Sequence, residues 1–322
     1  MNCDINVTPF DILKAYRFLK DKVLETPLER SEPLSRLAGG NVFLKLENLQ
    51  VCRSFKIRGA LNIMFNLPHE LRRKGVVTCS SGNHAQGVAI AARELGIKSV
   101  IVVPQDCPET KKEAIKMFGG EWVDLVEHGH GYDEAYVEAE RISKEEGLPF
   151  IPPGEHKLVM AGAGTIGYEV MKENPEVDAM LIPAGSGGLM LGIATIVKAM
   201  SPRVKIYGVQ SEASPPWYYS WQAGRLVDVE YKPSLSEGTW GSIKRCMLEF
   251  ARDKVDGFIL VSEEDIRDAI AFSVKKLHIL VEGAGALGIA AVLSGKFDVK
   301  GGNVVLIVSG GNIEGEVLKR IL

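Results

Sequence analysis

Short apolar runs alternate with helix-periodic stretches along almost the whole chain, and this alternation constrains the fold more than any other feature. Strand-like runs read over Gly75–Cys79, Lys98–Val103, Glu121–Val126, Met180–Pro183, Val204–Val209, Phe258–Val261 and Asn303–Val308. Helical runs lie between them: to about Leu95, Pro108–Phe118, Tyr132–Glu145, to about Met171, to about Met200, around Trp217 and Trp221, and from the N-cap Ser262 to about Lys276. Thr8-Pro9 opens a first helix, expected to reach about Val23, and a last one follows Asn312. Strand followed by helix, many times over, predicts an α/β fold with mostly parallel sheets. Breaks near residue 48 and at Pro152-Pro153-Gly154 suggest two domains. Residues 1–47 and 152–322 would form the larger, and 48–151 a smaller mobile α/β domain with a sheet of its own.

Composition narrows the functional classes. The chain has 322 residues, long enough for two domains, and a formal net charge of −3, which gives no basic surface for nucleic acid. No apolar run reaches membrane-spanning length, and Met1-Asn-Cys-Asp-Ile-Asn6 lacks the basic and apolar parts of a signal peptide, so a cytoplasmic protein is expected. Cys3, Cys52, Cys79, Cys107 and Cys246 are scattered without a C-x-x-C, which suits a reducing compartment better than a disulfide framework or zinc site. His128-Gly-His130 has no further ligand at zinc-site spacing, so no metal centre is expected.

Three loops share one design of apolar strand, small polar loop and helix: Ser80–His84, Gly185–Gly188 and Ser309–Asn312. In parallel sheets such loops gather at the carboxyl ends of the strands, where ligands bind. Gly185-Ser186-Gly187-Gly188 lets backbone N–H groups converge at a helix start, which suits a phosphate; the plain alternative is a glycine-rich turn. Ser80-Ser81-Gly82-Asn83-His84 suits a substrate carboxylate by the same dipole logic, or else supplies an ordinary N-cap. Two G-x-G-x-x-G runs, Gly162–Gly167 and Gly283–Gly288, lack the context of a dinucleotide site and read as close helix packing.

Ser54-Phe55-Lys56-Ile57-Arg58-Gly59-Ala60 sets one lysine among small and apolar neighbours. A lone lysine of this kind is usually a surface residue. Shielded from water, it becomes a nucleophile and base near neutral pH, and the usual partner of an aldehyde cofactor.

SFKIRGA, SSGNHAQG (Ser80–Gly87), GSGGL (Gly185–Leu189), EGAGA (Glu282–Ala286) and SGGN (Ser309–Asn312) occur in one order. That ordered set resembles the fold-type II pyridoxal-phosphate enzymes, in the serine/threonine dehydratase and serine racemase branch. The resemblance implies a two-domain, tryptophan synthase β-like fold of open, mostly parallel twisted sheets flanked by helices. It implies pyridoxal 5'-phosphate bound to Lys56, with Phe55 packed near the ring and Asn83 on the phenolic oxygen. Gly185, Ser186, Gly187, Gly188 and the Leu189 N–H would hold the phosphate, and Ser309 would meet the ring nitrogen. Ser80, Ser81, Gly82, Asn83 and His84 would bind the substrate, with Lys56 and Ser81 as catalytic residues on its two faces.

The activity so implied is loss of ammonia from L-threonine or L-serine by α,β-elimination, without a regulatory domain, in a homodimer or homotetramer. The alternatives are an amino-acid racemase, a dehydratase of a bulkier hydroxy amino acid, or a non-catalytic binding protein. Three stretches depart from the family pattern, Pro152–His156, Ala161–Thr165 and Gly208-Val-Gln-Ser211, as does Cys52, where the family usually has Thr. The first two put simple threonine or serine specificity in question. In the third, Gln210 stands where some members carry a cation-binding glutamate, so no tight magnesium site is expected there.

Overall fold

The computed structural model describes residues 4–322; Cys3 lies outside the described residues. Nine strands are present among the described residues: β1 (Leu28–Arg30), β2 (Asn41–Leu46), β3 (Val76–Cys79), β4 (Ser99–Val103), β5 (Val123–Glu127), β6 (Ala179–Pro183), β7 (Lys205–Ser211), β8 (Gly257–Val261) and β9 (Asn303–Val308). They form a six-stranded sheet in the order β1-β2-β9-β6-β7-β8 and a three-stranded sheet in the order β3-β4-β5. Every pairing is parallel except β1 with β2. This is the α/β architecture with mostly parallel sheets that the alternation predicts.

The strands at the centre of the large sheet are apolar on both faces because helices cover both. In β9, Val304 to Val308 are all buried, and β6 is buried along its whole length. The strand order reverses between β6 and β9, which are neighbours in space though far apart in sequence, with Leu181 opposite Leu306. The loops that follow these two strands therefore leave the sheet side by side, the position where open α/β sheets bind ligands.

Helix boundaries fall close to the expected ones, with two informative exceptions. The first helix, Pro9–Leu19, is opened by a Thr8–Asp11 capping box and stops four residues before Val23, giving way to a turn over residues 20–23. The helix Glu263–Phe272, capped by Ser262 and Asp265, widens into a π turn at Ser273–Leu277. Neither glycine run forms a nucleotide turn. Gly162–Gly167 lies inside the helix Lys157–Glu173, where a Cβ on Gly164 would stand 2.7 Å from the Gly192 carbonyl of the helix Gly188–Met200. Gly283–Gly288 opens the helix Gly283–Leu293, and no strand precedes it. Both runs bring backbones together where a side chain has no room.

Among the described residues, no helix is long and apolar enough to cross a membrane, and no group of three or more His, Cys, Asp or Glu side chains is placed to hold a metal ion.

Candidate active site

The loop after β6 turns at Gly187, whose φ of +100° favours glycine. It runs directly into the helix Gly188–Met200. The first backbone bond of that helix is Leu191 N–H to Gly187 O at 2.9 Å, so the N–H groups of Gly188, Leu189 and Met190 have no partner within it. The start of the helix Asn83–Leu95 repeats the arrangement after β3, with no side chain capping its first turn. Ser80 Oγ accepts the Gly82 N–H at 3.2 Å, and the Ser81 hydroxyl lies within hydrogen-bonding reach of the Cys107 thiol.

Lys56 begins the helix Lys56–Phe65. Its Nζ donates to the Pro153 carbonyl at 2.8 Å and stands 5.2 Å from the centre of the Phe55 ring. Burial lowers its pKa to about 8, while the carboxylates of Glu155 and Glu282 pull the other way. An ordinary lysine amine is almost never free at neutral pH; this one is free in part.

Glu282 is the residue that motif reading left without a role. Loss of hydration pushes its carboxyl up to about 7, against hydrogen bonds from Asn83 and the Asn312 backbone and the charge of Lys56. Asn83 Nδ2 donates to Glu282 Oε1 at 2.7 Å, and Asn83 Oδ1 accepts from Asn312 Nδ2 at 2.7 Å. The signal in the sequence was only an acid directly before a glycine-rich helix start.

The Ser309–Asn312 loop is fastened to the lysine segment. Phe55 N–H donates to Ser309 O at 3.1 Å, and Ser54 bridges to Gly310. Ser309 is 3 % exposed, and its hydroxyl makes no hydrogen bond to another described residue. The structure thus brings Lys56, Phe55, Asn83 and the Ser309 loop together. The ring of His84 turns inward instead: Nε2 lies 3.1 Å from Thr78 Oγ1 and 3.0 Å from the Ile151 carbonyl. Burial, with the charge of Lys56, drops its pKa to about 3, so it offers the cleft a backbone N–H and no charge.

The sequence model of a family described as pyridoxal-phosphate dependent enzymes matches residues 19–310. The chain belongs to that family. As a pyridoxal-phosphate enzyme it is 43 % identical over 319 residues to the L-threonine ammonia-lyase of Thermotoga maritima, covering 98 % of this chain and 78 % of that protein. It is 38 % identical over 316 residues to the catabolic L-threonine dehydratase TdcB of Escherichia coli K12, covering 97 % and 94 %. Among solved structures, maize serine racemase superposes with a TM-score of 0.92 at 32 % identity, covering 98 % of this chain and 96 % of that one. The processed threonine deaminase isoform 2 of Solanum lycopersicum gives 0.91 at 34 % identity, covering 97 % and 92 %.

The residues present fit the cofactor of such an enzyme. An amine of lowered pKa would suit an aldehyde, N–H groups free of helix partners would suit a phosphate, and the buried Ser309 hydroxyl and the Asn83 amide would suit ring heteroatoms.

A second cluster supports the lysine helix of this pyridoxal-phosphate enzyme from below. Arg58, at most 1 % exposed, donates to both carboxylate oxygens of Glu47 at 2.9 and 2.8 Å and to both of Glu169. It also reaches Thr165 Oγ1 at 3.0 Å and the Leu24 carbonyl at 3.1 Å. Lys45 Nζ completes the set, 2.6 Å from Glu169 and 2.6 Å from Thr26 O. Two cations thus face two anions with no net charge. Burial pushes the Glu47 carboxyl up, but Arg58, then Lys45, outweigh it and hold the group below the usual carboxylate range. Bidentate contacts on two sides fix the guanidinium plane, and with it the helix turn that carries Lys56.

Proposed function

We propose that this protein is an L-threonine ammonia-lyase of the catabolic kind, releasing ammonia and a 2-oxo acid from L-threonine and from L-serine. One observation carries the reading. An amine with a pKa of about 8 bonds the Pro153 carbonyl beside Gly154, which packs on Ser186 and Gly188, and its charge reaches His84 at the other helix start, in a chain 43 % identical to a protein named L-threonine ammonia-lyase.

Lys56 would anchor the cofactor, with Phe55 against its ring. The N–H groups from Gly185, Ser186, Gly187, Gly188 and Leu189 would hold its phosphate. Asn83 would donate to its phenolic oxygen, and Ser309 would meet its ring nitrogen. When bound, the cofactor supplies an aldehyde that captures the substrate amine and a ring that draws electrons from Cα. Ser80, Ser81 and Gly82, with the Asn83 and His84 N–H groups, would seat the substrate carboxylate at the helix start. That seating would present the Cα proton to Lys56 Nζ, whose burial lowers its hold on its own proton. A hydroxyl at Ser309 does not protonate a ring as a carboxylate would. With the cofactor bound, it would therefore limit how much negative charge Cα can carry, and would favour prompt departure of the β-hydroxyl.

Racemisation is the second reading, with Ser81 as the residue that would protonate the substrate face away from Lys56. The 32 % identity to maize serine racemase is in keeping with this.

A panel of β-hydroxy amino acids, assayed for 2-oxo acid and by chiral analysis of the recovered substrate, separates the readings. Turnover of L-threonine with loss of activity in Lys56→Ala is the expected result. Absence of 2-oxo acid from every member, or full turnover by Lys56→Ala, overturns the proposal.

A further inference from the structure

The glycine loop is braced from behind by two buried side chains. Gln210, on β7, is 0 % exposed. Its Oε1 accepts the N–H groups of Trp217 at 2.9 Å and Tyr218 at 3.1 Å, in the first turn of the helix Pro216–Ala223, and its Nε2 donates to the Ala184 carbonyl at 3.0 Å. Two N–H donors on one side and a carbonyl on the other leave only one orientation for the amide. Trp217, also 0 % exposed, stacks on Phe258 with centroids 5.3 Å apart and donates Nε1–H to the Gly185 carbonyl at 2.7 Å. Its ring fills the space beside Gly187, where a Cβ would stand 2.5 Å from Trp217 Cζ2.

These contacts decide which way the loop faces. In a trans peptide the C=O of one residue and the N–H of the next point in opposite directions. Drawing the Ala184 and Gly185 carbonyls back into the protein therefore turns the Gly185 and Ser186 N–H groups outward. The Gly188, Leu189 and Met190 N–H groups at the helix start continue the row.

We propose that Gln210 and Trp217 are positioning residues. They hold the loop in its anion-binding shape before the cofactor arrives, and so set affinity for the cofactor's phosphate and not for its ring or aldehyde. This rests on the reading that the loop takes that phosphate.

The test uses the full chain, stripped of cofactor by dialysis and titrated with pyridoxal phosphate and with pyridoxal, following the visible absorbance of the bound form. Gln210→Met fills the same space but removes both the acceptor for Trp217 and Tyr218 and the donor to the Ala184 carbonyl. Trp217→Phe removes the donor to Gly185. Each variant should lose about tenfold or more in affinity for pyridoxal phosphate, the scale of one hydrogen bond serving a charged group. Affinity for pyridoxal should change by under about twofold. If wild type prefers the phosphorylated form and both variants keep that preference, the brace is refuted while the loop reading stands. If wild type shows no preference, the loop reading fails and the brace with it. Should Gln210→Met not fold, Trp217→Phe decides by the same ratio.

Discussion

Replacing Arg58 with methionine tests the buried charge cluster under the lysine helix. The substitution fills most of the volume but leaves Glu47 and Glu169 facing one cation. Lys45 stays with Glu169, 2.6 Å away, so Glu47 keeps only the Thr26 hydroxyl at 2.6 Å among its close partners. A fully buried carboxylate without a counter-charge protonates instead. Carrying a proton at pH 7 on a group of ordinary acidity costs ~4 kcal/mol, at ~1.4 kcal/mol per pH unit. Removing one partner of a buried pair typically costs ~3–5 kcal/mol, in agreement. For 322 residues the unfolding entropy is about 0.7 kcal/mol/K, so the melting temperature should fall by about 4–7 °C at pH 7. The sign with pH follows. In wild type the depressed Glu47 pKa contributes stability above the ordinary carboxylate range, and that is lost only as pH falls through the folded value. In the variant the folded state holds an extra proton, so its deficit grows from pH 5 to pH 7. Thermal unfolding followed by circular dichroism across that range reads both quantities. Arg58→Met with Glu47→Gln should recover most of the loss, since no orphan charge remains. A deficit independent of pH, or no recovery in the double variant, refutes the charge account.

Other substitutions address the cleft itself. The raised Glu282 pKa of about 7 means the folded state holds a proton that the unfolded state sheds, so wild-type stability falls as pH rises from about 4.5 through 7. Glu282→Gln keeps an acceptor for Asn83 and should gain in melting temperature relative to wild type over that window, with no gain below it. For Lys56 the folded value of about 8 lies under the ordinary lysine value of 10.5, so burying the amine costs most below pH 8 and nothing above about 10.5. Cofactor-free Lys56→Met should be more stable than cofactor-free wild type by ~2–3 kcal/mol at pH 7, the gap closing toward pH 10, as read by urea titration. Gly164→Ala sets a methyl 2.7 Å from the Gly192 carbonyl and should cost ~1–3 kcal/mol, whereas Gly315→Ala, with open space around it, should melt like wild type.

What the sequence made legible was local. A strand, a small polar loop and a helix start are read within about fifteen residues, so the segments carrying Ser80–Asn83, Gly185–Gly188 and Ser309 stand out from residue order alone. The glycine runs could be read as packing because their context was wrong for a nucleotide turn. The three-residue β1 was not legible, since its strand character comes from pairing with β2 and not from its own Leu28-Glu29-Arg30. Nor was the Arg58 cluster, whose members Glu47, Thr165 and Glu169 lie 11, 107 and 111 residues from it. His84 shows the same limit from the other side. Its place in the motif suggests a ligand-facing ring, but the first helical turn points that ring toward Thr78 and Ile151. The role of Glu282 depends on Asn83, 199 residues away, and no spacing announces it.

The glycine seam between the helices Lys157–Glu173 and Gly188–Met200 has a consequence for how such a protein can change. Main chain rests on main chain there, so no rotamer can shift to absorb a mutation, and the two helices behave as one keel. The glycine loop is the prow of that keel. A change that alters this protein without unseating the keel must then fall in segments with side chains free to move, such as Pro152–His156, where Gly154 lies against Ser186 and Gly188.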